Sequence, residues 1–202
     1  FTYNGVEFSQ NNLNIFAGLC AVDVPEHVEM MLQALEDNGE VCTRMGAYKP
    51  RTNPYSFQGH GKGCLPWVFE KAGKHGIKVI AMEITHESHI EEIDTCLEKL
   101  GRPTGVMLQV GTRNTQNFEL LKAVGKSHAA VLLKRGMSSS IDEWLAAAEY
   151  VLEEVCHEAR RKLSRHEGRS GSPSASPSAA AKWMQEAGAA AHAALKVCAI
   201  SV

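Results

Sequence analysis

Five repeats of one pattern limit what this chain can fold into. Between residues 13 and 156, short apolar runs alternate with longer amphipathic ones. The short runs are 13–19, 41–47, 77–84, 105–110 and 129–134, and the spacing predicts strands there. Helices are expected over 25–38, 65–75, 87–100, 117–124 and 140–156. In the first, Val28, Met31, Leu32 and Leu35 share one stripe and Gly39 acts as a stop. The last has Ser140 or Asp142 as its cap. βα units at roughly 25-residue intervals are the rhythm of a parallel sheet covered by helices.

Two α/β architectures share that rhythm, the open doubly wound sheet and the (β/α)8 TIM-type barrel. No GxGxxG follows the first strand, so a dinucleotide fold has no support. Polar or ionisable side chains instead sit just past each strand: Cys20, the group from Arg44 to Arg51, Glu83, Arg113, and Lys134 with Arg135. In a barrel these ends meet on one face, which favours an incomplete TIM-type barrel of about five units over residues 1–156. Beyond it, 157–181 reads as a charged segment running into a Ser/Pro/Ala-rich linker, and 182–202 as an Ala-rich terminal helix. The first residue is Phe1 rather than Met, which suggests an excised or processed piece.

With a net charge of −2, the chain has no basic field for nucleic acid or a membrane surface. No apolar run approaches the roughly 20 residues that span a bilayer. Six scattered cysteines without CxxC pairs read as reduced thiols, hence a cytoplasmic chain.

The densest chemical signal is RMGAYKPRTNPYSFQG, residues 44–59, which places Arg44, Lys49 and Arg51 within eight positions. Pro50 fixes φ in the KPRT turn, which limits the entropy lost when a ligand is clamped. Guanidinium forks suit phosphate and carboxylate oxygens, and an ammonium supplies a point charge. The plain alternative is a solvated basic loop. Lys134, at the end of an apolar strand, would be costly without an anion beside it. Cations from three strand ends repel unless a multiply charged anion lies among them, so the natural ligand is a small phosphorylated acid. Cys20 could be a small core residue, a metal ligand or a nucleophile, and Glu83 an orienting carboxylate or satisfied structure. His86 and His89 read as surface residues.

The segments AGLCAVD, RMGAYKPRTNPYSFQG, the strand ending MEI, QVGTRNTQNFELLKAVG and VLLKRGM occur in the order of 3-deoxy-D-arabino-heptulosonate 7-phosphate (DAHP) synthases, and residues 13–152 resemble that family. The KPRT turn separates it from the related octulosonate phosphate synthases. The resemblance implies a (β/α)8 barrel that condenses phosphoenolpyruvate with erythrose 4-phosphate and releases phosphate, at the entry to aromatic amino acid biosynthesis. It implies that Lys49 and Glu83 are catalytic. It also implies that Arg44, Lys49, Pro50, Arg51, Thr52, Gly111, Thr112, Arg113 and Lys134 bind substrate. A divalent metal such as Mn²⁺ is implied, with Cys20 as one ligand, and a homo-oligomer is admissible. The chain departs from the family at Leu19 and Met45, and nothing after residue 157 resembles strands six to eight, which carry the family's other metal ligands. A non-catalytic phosphoenolpyruvate-binding module is the alternative reading.

Overall fold

The computed structural model describes residues 1–167 and 197–200. A two-stranded hairpin, β1 (Thr2–Tyr3) and β2 (Val6–Glu7), is followed by α1 (Pro25–Asp37), β3 (Cys42–Arg44), a 3-10 turn (Gly61–Cys64) and α2 (Leu65–Lys74). Then come β4 (Val79–Ile84), α3 (Ser88–Lys99), β5 (Gly105–Val110), α4 (Phe118–Lys126), β6 (Val131–Lys134), α5 (Ile141–Glu167) and β7 (Val197–Ile200).

Strands β3 to β7 form one parallel sheet in chain order, each beside the next. Every helix packs on the same face. Val28 and Leu32 of α1, Phe69 of α2, Ile93 of α3, Leu121 of α4 and Val151 of α5 share one core with Ile80, Met82, Leu108 and Leu133 of the strands. The opposite face is helix-free among the described residues: Cys42, Val79, Ala81, Met107 and Leu132 pack there against Val6 and Phe8. A doubly wound sheet has helices on both faces and a reversal of strand order, and neither occurs among the described residues. Among the described residues the helices cover one side of the sheet only.

Local chemistry accounts for the element ends. Pro25 opens α1, where its missing N–H costs nothing. Asn117 caps α4 by accepting from the Leu120 amide at 3.2 Å. Ser140, not Asp142, caps α5. Its hydroxyl accepts from the Glu143 amide at 3.2 Å, and the Glu143 carboxylate accepts from the Ser140 amide at 2.7 Å, a reciprocal capping box.

Three sequence expectations are corrected. Residues 13–19 are not a strand: the segment keeps a single parallel bridge, Ala17 to Thr43, and Leu13 is 86% exposed. Asn11 and Asn12 precede this run and Asn14 lies within it, and Asn12 and Asn14 spend their amides on the Glu7 carbonyl rather than on a ladder. The strands that do form at this end are β1 and β2, joined through Asn4 and Gly5. Both have positive φ (45° and 80°), as a tight hairpin turn requires. At the other end, α5 continues to Glu167, taking in the first part of the charged segment expected to lie beyond the last helix. Residues 197–200, expected to be helical, are the strand β7, paired with β6 from Val131↔Val197 to Lys134↔Ile200. The sequence VCAI is apolar with β-branched ends, and an open β6 edge offers it a full ladder of backbone partners. The remainder of the expected linker and terminal helix, 168–196 and 201–202, lies outside the described residues.

Candidate active site at the strand ends

Side chains alternate along each strand, so residues two apart share a face. On the helix-free face the series are Cys42 and Arg44, then Val79, Ala81 and Glu83, then Met107 and Gln109, then Leu132 and Lys134. Their register aligns Glu83 with Gln109 and Gln109 with Leu132. Each series starts apolar, over the hairpin, and turns polar at the C-terminal end. The hairpin closes the apolar end: the Tyr3 hydroxyl donates to the Val106 carbonyl at 2.8 Å, and Phe1 and Phe8 stack at 5.1 Å.

At the polar end lies a cavity of about 200 Å³. It is lined by Cys20, Arg44, Lys49, Pro50, Arg51, Glu83, Gln109, Gly111, Thr112, Arg113 and Lys134, with Leu19, Met45, Gly46 and Ala81 between them. The expected site residues therefore meet in one place, contributed by five separate segments. Thr52 is exposed and is not among the lining residues, and Arg135, one position out of phase, is also outside.

Lys49 sits at the centre. Its ammonium donates to the Cys20 carbonyl at 2.7 Å, lies 3.5 Å from Cys20 Sγ and 3.8 Å from Glu83 Oε2. Both side chains of the Lys49–Glu83 pair are largely buried, 8% and 14% exposed. The carboxylate occupies the space beside a bare backbone: a Cβ on Gly111 would stand 1.9 Å from Glu83 Oε1, so any larger residue there would displace Glu83. Arg51 Nε donates to the Phe57 carbonyl at 3.1 Å and Arg113 makes a long contact of 3.5 Å to the Pro50 carbonyl. The half-buried Lys134 ammonium has no hydrogen-bonding or ionic partner among the described residues. Five cations thus face one carboxylate, an arrangement whose repulsion an anion with several charges would relieve.

The lining is a poorer match for a divalent cation. Cys20 and Glu83 are its only ligand-type side chains, and the Lys49 ammonium stands beside both. Among the described residues no cluster of three His, Cys, Asp or Glu is placed to hold a metal. These residues do not by themselves compose a metal centre.

Residues 5–171 match the DAHP synthetase I family model. The chain belongs to that family. It is 37% identical over 146 residues to the phospho-2-dehydro-3-deoxyheptonate aldolase of Thermotoga maritima, an alignment covering 72% of this chain and 40% of the relative. Two solved structures are similar. One is the DAHP synthase of Thermotoga maritima, with TM-score 0.60 and 35% identity, over 70% of this chain and 38% of that one. The other is a truncated form of the same organism's enzyme, with TM-score 0.56 and 33% identity, over 70% and 47%. The chain thus spans less than half the length of these relatives. The described residues contain no helix long and apolar enough to cross a membrane.

Three features of the site escaped the sequence reading. Gln109 lines the cavity, and its signal was available: a lone amide in the otherwise apolar strand GVMLQV. The Gly111–Glu83 approach joins residues 28 apart and leaves no local trace. His89, read as a surface residue, is partly buried face to face with Tyr48.

Proposed function

We propose that this chain carries the phosphoenolpyruvate-binding wall of a DAHP synthase-type (β/α)8 barrel and condenses phosphoenolpyruvate with erythrose 4-phosphate, releasing phosphate. The observation that carries the reading is the meeting of Arg44, Lys49, Arg113 and Lys134 in one small cavity beside Glu83. Phosphoenolpyruvate bears a phosphate and a carboxylate on three carbons, so it needs cations arriving from more than one direction. Arg113, Arg44 and Lys134 take the anionic oxygens as forks and a point charge. Lys49, tethered to the Cys20 carbonyl and to Glu83, holds one hydrogen-bond donor over the reacting carbons and sits next to a carboxylate that can exchange a proton with it. Pro50, Arg51 and Thr52 border the route by which an aldose phosphate would enter, with Gly111 and Thr112 shaping the floor. The positioning of both anions against preset charges is the main source of rate acceleration. The divalent metal implied by the family would use Cys20, and its other ligands would come from outside the described residues. A cytoplasmic location accords with reduced thiols.

A second reading is favoured by the incomplete donor set: a module that binds phosphoenolpyruvate without turning it over. Phosphate release measured with both substrates, with and without Mn²⁺, separates the two. Metal-dependent release supports the synthase. Calorimetric binding of phosphoenolpyruvate without release, indifferent to metal, supports the module, and no binding at all refutes both.

A further inference from the structure

We infer that Tyr48, His89 and Glu92 form a positioning bracket that fixes Lys49 opposite Glu83, by tying the root of the KPRT loop and the end of β4 to one imidazole. This rests on the reading of Lys49 as a binding-site residue. Lys49 lies in the loop that follows β3 and Glu83 near the end of β4, and residues 51–58, which follow Lys49, are exposed. That loop is closed at its base by the Lys49 amide donating to the Gln58 carbonyl at 3.0 Å and the Gly61 amide to the Ala47 carbonyl at 2.9 Å. Tyr48, the adjacent residue, is buried on the far side. Its ring stacks on His89 of α3 with centroids 3.7 Å apart and planes 10° from parallel, and its hydroxyl donates to Glu92 Oε2 at 2.7 Å. His89 Nδ1 in turn accepts from the backbone N–H of Thr85 at 3.3 Å, two residues past Glu83.

One ring therefore contacts the residue before Lys49 and the residue two past Glu83. The acceptor role requires neutral imidazole with its proton on Nε2. Burial favours the neutral form and lowers the pKa of His89; Glu92 opposes this and His86 adds to it. The other titratable groups around the stack are Cys64 from the 3-10 turn and Cys96 from α3. A phenylalanine at 48 would fill the same space. The hydroxyl adds a directional bond to α3, which sets where the loop root stands along the helix.

The test uses the whole chain, with amide exchange of Lys49 and Thr85 followed by NMR without ligand. The variants are Tyr48→Leu, His89→Phe (stack kept, acceptor lost) and His89→Asn (amide oxygen in place of Nδ1). Phe69→Leu, a fully buried core position in α2, controls for general loss of stability. Thr85 should exchange about tenfold faster in His89→Phe and regain protection in His89→Asn. Lys49 should exchange about tenfold faster in Tyr48→Leu, with phosphoenolpyruvate affinity down roughly three- to tenfold, and neither amide should stand out in the control. Wild-type exchange at both amides in Tyr48→Leu and His89→Phe would overturn the bracket. Failure of the unaltered protein to bind phosphoenolpyruvate would overturn the proposed function instead, and the amide comparison would still decide the bracket.

Discussion

Gly111→Ala tests how closely the carboxylate of the site is packed against the end of β5. The backbone of Gly111 lies outside the region reserved for glycine, so alanine is allowed conformationally, but its Cβ would meet Glu83 Oε1 at 1.9 Å. Ordinary contact needs ~3.3 Å or more, so the carboxylate must retreat by ~1.4 Å or the end of β5 must yield. If Glu83 withdraws from Lys49 by that amount, an attraction of about 4 kcal/mol at 3.8 Å falls to about 3 kcal/mol, taking an effective dielectric constant of ~20. The obstructing atoms end a flexible side chain and give way with little added strain, so Gly111→Ala should destabilise the chain by about 1 kcal/mol. Urea unfolding followed by circular dichroism measures this. The decisive comparison is a double-mutant cycle: in a Glu83→Ala background the obstacle is gone and Gly111→Ala should cost close to nothing. An equal cost in both backgrounds would show that the glycine is needed for another reason and that Glu83 is not held by it.

Arg113→Gln removes one charged fork from the cavity and should weaken phosphoenolpyruvate binding about tenfold or more, with a shallower salt dependence in calorimetry. His75, 8% exposed at the end of α2, gives a pH signature unrelated to the site. Burial pushes its pKa down, but hydrogen bonds to Glu36 (2.7 Å) and Glu29 (3.0 Å) outweigh this and raise it above 6.5. The stabilisation is full below pH 6.5 and is lost as pH rises through the folded-state value. Thermal unfolding between pH 6 and 8.5 should therefore show a decline that His75→Gln flattens. Glu29, bonded to Lys71 and His75, is lowered to about 2, so its share of stability disappears in the opposite direction, as pH falls below 4.5. Tyr3→Phe deletes the bond that fastens the hairpin under β5 and should cost about 1 kcal/mol in urea unfolding.

The helices and the inner strands were legible because their burial follows sequence period. Val28, Leu32 and Leu35 repeat at helical spacing and are all buried, and the apolar runs around Ile80 and Leu108 are buried on both faces. The site was legible because strand ends collect on one side of a parallel sheet, so Arg44, Glu83, Arg113 and Lys134 could be brought together without coordinates. What was not legible depended on partners distant in the chain. An apolar run such as 13–19 becomes a strand only if a neighbour pairs with it along its length, and here β3 offers a single bridge. Residues 197–200 become a strand because β6 has a free edge, which no local propensity can report. The hairpin strands are two residues each, below the length at which alternation can be read, although the Asn4–Gly5 turn signal stands in the sequence. Gly111 owes its role to one approach to Glu83, and His89 owes its role largely to the ring of Tyr48, 41 residues away in the chain.

The claim beneath the rest is that cations from separate strand ends serve one doubly charged ligand. A crystal of the full chain grown with phosphoenolpyruvate tests it most directly. The account predicts phosphate and carboxylate density bounded by Lys49, Arg113 and Lys134 and close to Glu83. Ligand density elsewhere, with those three side chains extended into solvent, would contradict it.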